Sequence, residues 1–165
     1  MALRPGIPAE QIADANKLEA DGRVFLYEME MAGSGAIIRV RSGPKITWNS
    51  MLFEELGISV SGKGQSAGEE VFRPKMQIVN PEGIFSAYIA SGELERAIVR
   101  EWTVLRTHLD TNQPIYSLRI WSVGKILTLN KNMITIELRE IGDGPNFILP
   151  GRIFMPPDFP QVSLG

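Results

Sequence analysis

Ile115-Tyr116-Ser117-Leu118-Arg119-Ile120-Trp121-Ser122-Val123-Gly124-Lys125-Ile126-Leu127-Thr128-Leu129 is followed, three residues later, by Met133-Ile134-Thr135-Ile136-Glu137-Leu138-Arg139-Glu140. Side chains of a β-strand alternate between its two faces, so a period of two in hydropathy marks a half-buried strand. Residues 115–123 and 125–129 read as two such runs, separated at Gly124. Residues 133–140 read as a last strand with Ile134, Ile136 and Leu138 turned inward. Strands in close succession, joined by turns too short for a crossover helix, predict antiparallel β structure.

Upstream, Asn112-Gln113-Pro114 closes off a mixed stretch, residues 94–109. There Trp102 and Val104 point one way, Leu105 and Leu109 the other. Residues 84–90 read as a short helix after a turn at 81–83. Residues 71–79 form a strand with Phe72, Met76 and Ile78 on one side, and Pro74 inside it argues for an edge strand or a bulge. The four glycines of residues 57–68 predict an exposed loop flanked by short β segments. Residues 45–48 follow the break Ser42-Gly43-Pro44 as a short β segment. Residues 23–31, with Phe25, Tyr27, Met29 and Met31 on one face and Glu28 and Glu30 on the other, pair as a hairpin with 36–41 across Gly33-Ser34-Gly35. An N-terminal helix is expected over 8–21, with Pro8 in its first turn, Glu10 at its positive end and Asp21-Gly22 as its stop.

The expectation is a mainly β fold, an antiparallel β-sandwich or barrel with one or two short helices. A single domain takes up residues 1–150, followed by a proline-rich tail, 151–165. The chain has 165 residues, 44% of them hydrophobic and 22% charged, which suffices for one buried core. A net charge of −2 advertises neither a nucleic-acid surface nor an anionic-membrane surface. With no cysteine, disulfides, thiol catalysis and thiolate metal sites are excluded. No apolar run approaches the roughly 20 residues that cross a bilayer, and the N-terminus lacks a signal peptide's apolar core. Synthesis and residence in a cytoplasm are therefore expected.

Chemistry-bearing motifs are weak. Gly57-Ile58-Ser59-Val60-Ser61-Gly62-Lys63 has phosphate-loop spacing, but Gly64 stands where the magnesium-binding hydroxyl belongs and no helix-forming run follows. His108 is the one histidine, read as a half-exposed strand residue; Asp110 two positions on makes no triad, and a zinc site would need three carboxylates. Glu54-Glu55 and Glu69-Glu70 fit solvated surface better than an acid/base couple. Arg100, Trp102, Arg106, Arg119 and Trp121 interleave as a stacking platform for single-stranded nucleic acid would, with buried tryptophans beside surface arginines as the plainer account. The expectation is no catalytic, metal or cofactor site.

Several stretches resemble the phage minor tail protein L family of lambda-like tails. In chain order they are Ile46-Thr47-Trp48-Asn49, Ser61-Gly62-Lys63-Gly64, Arg73-Pro74-Lys75-Met76-Gln77-Ile78-Val79-Asn80, Gly92-Glu93-Leu94-Glu95-Arg96-Ala97-Ile98-Val99 with Leu109-Asp110 beyond it, and Pro150-Gly151-Arg152-Ile153. The resemblance implies a tail-tube-like fold and a structural place in the virion, at the tail tip or baseplate hub. There a ring joins the distal tail and tail tube proteins to the central hub protein and encloses the channel for the tape-measure protein and for DNA, which binds only in transit. It implies no membrane. Longer members continue into a cysteine-containing region associated with an iron–sulfur cluster, so a chain without cysteine implies a cluster-free version. Two-domain relatives close a ring with three copies, so a single-domain chain implies a homohexamer, with a trimer as the other closing count.

Interface candidates under this reading are Gly62, Lys63 and Gly64 in the glycine loop, Arg73, Pro74 and Asn80 on the strand and its turn, and Arg152, Phe154 and Phe159 in the tail. Ile153, Phe154, Met155, Phe159 and Leu164 make the tail too apolar for water and predict docking on a neighbour. The alternatives are a small β-barrel module binding nucleic acid or a ligand and, last, an enzyme.

Overall fold

The computed structural model describes residues 7–15, 22–63 and 73–141. Among these residues nine strands form one mixed sheet: β1 (Arg23–Glu30), β2 (Ile37–Arg41), β3 (Ile46–Trp48), β4 (Met51–Glu55), β5 (Ile58–Ser61), β6 (Lys75–Val79), β7 (Ile98–Leu105), β8 (Ser117–Leu129) and β9 (Met133–Glu140). Among the described residues three short helices accompany them: α1 (Ala9–Ala15), α2 (Ser86–Ala90) and α3 (Arg106–Asp110). The order across the sheet is β3-β4-β2-β1-β7-β8-β9-β6-β5. Every pairing is antiparallel except β2 with β4, which run parallel at Val40 and Arg41. The mainly β expectation holds, with three short helices.

The connection from β4 to β5 dictates the shape. These strands lie seven places apart in the sheet, which on a flat sheet would be about 33 Å at the usual strand spacing. Only Leu56 and Gly57 join them, a reach of about 10 Å. The sheet must therefore roll until its two ends meet. The connector bridges the seam: the Leu56 amide donates to the Arg41 carbonyl of β2 at 2.9 Å, and the Gly57 carbonyl accepts from the Val79 amide of β6 at 2.8 Å.

Rolling gives the sheet an inner and an outer face. Tyr27, Met29 and Met31, with Val99, Trp121, Val123, Met76, Ile78, Ile134, Ile136 and Leu138, fill the inside. On the outer face of β1 and β7, Leu26, Trp102 and Val104 are covered by Trp48 and Phe53 of the β3–β4 hairpin and by Leu109 of α3. Asn49 and Ser50, both at positive φ, make the two-residue turn of that hairpin. Its tip is pinned where Trp48 Nε1 donates to the Gln113 carbonyl at 3.1 Å and Asn112 Oδ1 accepts from the Asn49 amide at 2.8 Å. Helix α1 is held against β7 by Gln11, whose buried amide donates to the Thr103 carbonyl at 2.7 Å.

Several expectations change. Residues 58–61, expected as exposed loop, form β5, with Ile58 buried and paired to Ile78. Strand β6 is interior, between β5 and β9, and Pro74 precedes its first residue. There the missing amide is not needed, and the Pro74 carbonyl accepts from the Leu138 amide at 2.8 Å. The two runs around Gly124 are one strand, β8, carrying register shifts. His108 lies in α3, not in a strand. Residues 1–6, 16–21, 64–72 and 142–165 lie outside the described residues, and with them most of the glycine loop, Phe72 and the tail.

The seam gives the first stability prediction. A Cβ on Gly57 would sit 2.6 Å from Val79 Cγ2, a short β-branched side chain with little room to turn. Gly57→Ala is expected to destabilise the chain by about 1–3 kcal/mol. Urea unfolding at constant slope checks this, and a midpoint equal to that of the parent chain would mean the seam yields freely.

Candidate assembly surface at the sheet seam

Lys63 leaves the end of β5 and reaches back over the rolled sheet. Its Nζ lies 2.5 Å from Glu101 Oε2 on β7, 3.5 Å from the Tyr27 hydroxyl on β1 and 4.2 Å from the centre of the Phe25 ring. Tyr27 and Glu101 are register partners, so they share the inner face. Glu101 is only 1% exposed. Burial, reinforced by the charge of Glu101 and a hydrogen bond to it, pushes the Tyr27 hydroxyl far above its ordinary range and keeps it neutral. The site is thus a clamp in which one cation answers one buried carboxylate. The phosphate-loop reading of this segment loses its geometry, since Ser59 and Ser61 lie on a strand paired with β6 and Lys63 is engaged by Glu101.

Charge on the outer face is also organised by register. Glu28 lies opposite Arg39 on one side and Arg100 on the other. It accepts from Arg39 Nε at 2.7 Å and Arg100 Nη1 at 2.9 Å, while Arg100 Nη2 reaches Glu30 at 2.7 Å. Alternation sets Glu28 on the face opposite Tyr27 and Met29, and there it is buried, because cross-strand arginines flank and cover it. Trp102 and Trp121 are buried on opposite faces of the sheet, and Arg100 is spent on Glu28 and Glu30. These residues therefore do not line up as a stacking platform.

Asn80 organises the turn after β6. Its Oδ1 accepts from the Phe85 amide at 3.0 Å, its carbonyl accepts from the Gly83 amide at 3.3 Å, and its own amide donates to the Asn132 carbonyl at 2.8 Å. Glu82 and Gly83 both adopt positive φ, 57° and 73°, inside the 3-10 turn Pro81–Gly83. Left-handed backbone at a non-glycine residue persists where neighbours over-determine it, as these hydrogen bonds do.

Beside this turn the roll fails to close completely. Ile37, Ile38 and Arg39 of β2, Leu52, Glu54 and Glu55 of β4, Leu56, and Pro81, Ile84 and Phe85 line an open groove of about 440 Å³. Sequence reasoning did not find it, because its walls come from three segments far apart in the chain.

Of the interface candidates, Gly62 follows β5 at φ 73°, and Lys63 forms the clamp. Arg73 is exposed and pairs with Glu137 at 3.3 Å, an ion pair of a kind that contributes little. Pro74 and Asn80 are buried within the chain, and Asn80 leads into the turn that walls the groove. Gly64, Arg152, Phe154 and Phe159 lie outside the described residues. Among the described residues no group of three or more His, Asp or Glu could hold a metal ion, and no helix is long and apolar enough to cross a membrane.

No family model matches the chain, and no curated protein matches it. Among solved structures, a chain in the virion of a native gene transfer agent particle is similar to it, with a TM-score of 0.62 and 17% identity, over 90% of this chain and 50% of that one. The chain thus spans about half the length of that virion protein, and the two share a fold.

Proposed function

We propose that this chain is a structural, non-enzymatic component of a phage-type virion, a segment of the tail-tip or baseplate ring that joins the distal tail tube to the central hub around the channel for DNA and tape-measure protein. The observation that carries this reading is the fold shared with a virion chain over nine-tenths of the present chain. The ordered motifs resembling the phage minor tail protein L family supply the finer placement. A closing ring needs two different patches on each subunit. Free sheet edges and an apolar groove are suitable patches, since strands can pair across subunits. A ring of six copies, with three as the alternative, follows from the single-domain argument above.

Electron microscopy of particles from cells encoding this chain tests the reading, with density for the rolled sheet expected at the distal end of the tail tube. Absence of the chain from mature particles would refute it. A chain truncated after Arg152 is expected to fold with an unchanged unfolding midpoint yet fail to enter particles. Normal incorporation of that variant would remove the tail from the assembly account.

A further inference from the structure

The groove at the seam has the makings of a strand acceptor. Strand β2 pairs with β1 along Ile37 to Val40, but with β4 only at Val40 and Arg41. The Arg41 carbonyl accepts from Leu56 on the β4 side, so by alternation the backbone groups of Ile37 and Arg39 face that side too. Among the described residues no strand pairs with Ile37, Ile38 or Arg39 there. Around this open edge stand Ile37, Leu52 and Ile84, exposed by 50%, 47% and 53%. The charge in the groove is acidic: Glu54 and Glu55 are exposed and make no ion pair among the described residues, while Arg39 is held by Glu28. An occupant must therefore be an extended segment with apolar side chains and a cation. A polyanion is repelled.

The chain itself contains one segment of that description outside the described residues. Residues 64–72 carry Glu69 and Glu70, which the groove acids repel, and in residues 1–6 Arg4 is followed at once by Pro5. Residues 16–21 hold one cation against two acids. Arg152 is the one cation of residues 142–165, and Ile153, Phe154 and Met155 follow it. Pro156 and Pro157 then deny further pairing, because proline has no amide to donate. The length left for pairing matches the short free edge of β2.

We propose that the groove receives Arg152-Ile153-Phe154-Met155 from a second copy of this chain as an added strand beside Ile37–Arg39, with Arg152 facing Glu54 and Glu55. This rests on the ring reading and supplies its subunit junction. The junction is head-to-tail, with the groove on one copy and the tail of the next, so it propagates around a ring without self-pairing.

The test uses two full-length variants, Ile84→Asp at the groove rim and Phe154→Asp in the tail, with urea unfolding to establish that each is folded. In sedimentation velocity over a range of concentrations the parent chain is expected to associate, and each variant alone to associate at least about tenfold more weakly. An equimolar mixture is expected to recover dimers and nothing larger, because one intact groove then meets one intact tail. Parent-like association by either variant overturns the proposal, as does a mixture that stays monomeric. A parent chain that is monomeric throughout, with the groove amides of Ile37 and Arg39 losing hydrogen-exchange protection on Phe154→Asp, also overturns it and places the tail in its own groove. Any of these results obtained while the chain is still located at the tail tip of particles defeats the junction and leaves the ring standing.

Discussion

Lys63→Met is expected to lower the free energy of unfolding by about 3–5 kcal/mol, the usual cost of stranding one member of a buried ion pair. Glu101 sits 1% exposed in the middle of β7, and Lys63 is the cation within ion-pair distance of it among the described residues. With methionine in place of lysine, the carboxylate keeps its contact with Tyr27 but has no opposite charge. For a chain of this size the loss corresponds to roughly 10 °C in melting temperature. The double variant Lys63→Met with Glu101→Leu is expected to recover part of it, because an apolar pair replaces a buried ionic one while the buried Tyr27 hydroxyl loses its acceptor. Urea unfolding of the single and double variants forms the cycle that measures the coupling. A single-variant loss below about 1 kcal/mol would mean that water already solvates the pair and that backbone pairing at Leu56 and Gly57 alone closes the roll.

The effect is large because of where the pair stands. Lys63 follows β5, the last strand in the sheet order, and Glu101 and Tyr27 lie on the two central strands. Nothing local in the sequence signals this contact. The partners are 38 residues apart, and a glutamate inside an apolar strand reads as the solvent side of an alternating pattern until the fold supplies the lysine. The same blindness applies to Glu28, whose arginines come from β2 and β7.

What alternation could decide, it decided well. Strand β9 was legible at both ends, because Ile134, Ile136 and Leu138 alternate without interruption and are all fully buried. Strand β5 was hidden by glycines: Ile58-Ser59-Val60-Ser61 alternates, but Gly57 and Gly62 made it look like loop. Gly124 misled in the opposite way. It reads as a break, whereas it lies within β8 at a register shift, and a Cβ there would meet the Arg139 side chain at 2.4 Å. A glycine can mark a turn, a bulge or a close approach, and only the neighbours distinguish these. The groove was illegible for the same reason as the clamp, being built from β2, β4 and the turn after β6.

Phe53→Ala is expected to cost about 3–5 kcal/mol, and to cost it unevenly. Phe53 is fully buried and meets Trp102 edge-on at 5.9 Å, closing the outer core over Leu26 and Val104. The other holds on the β3–β4 hairpin are the buried Trp48, which meets Tyr116 edge-on at 5.6 Å, strand pairing with β2 at two residues, the Leu56 amide on Arg41, and the contacts from Gln113 and Asn112 near its tip. The inner core contains no residue of this hairpin. Hydrogen exchange should therefore show amides of residues 46–55 losing protection well before those of 133–140. Equal loss in both segments would mean that hairpin and roll unfold as one unit. Strand β4 alternates, so the residue that turns inward as Phe53 leaves Leu52 and Glu54 turned outward to the groove. Emptying the Phe53 seat thus dissolves one wall of the groove without touching it, and self-association should fall together with the local protection. In this chain the period of two in a five-residue strand ties the outer core to the surface on which the proposed ring depends.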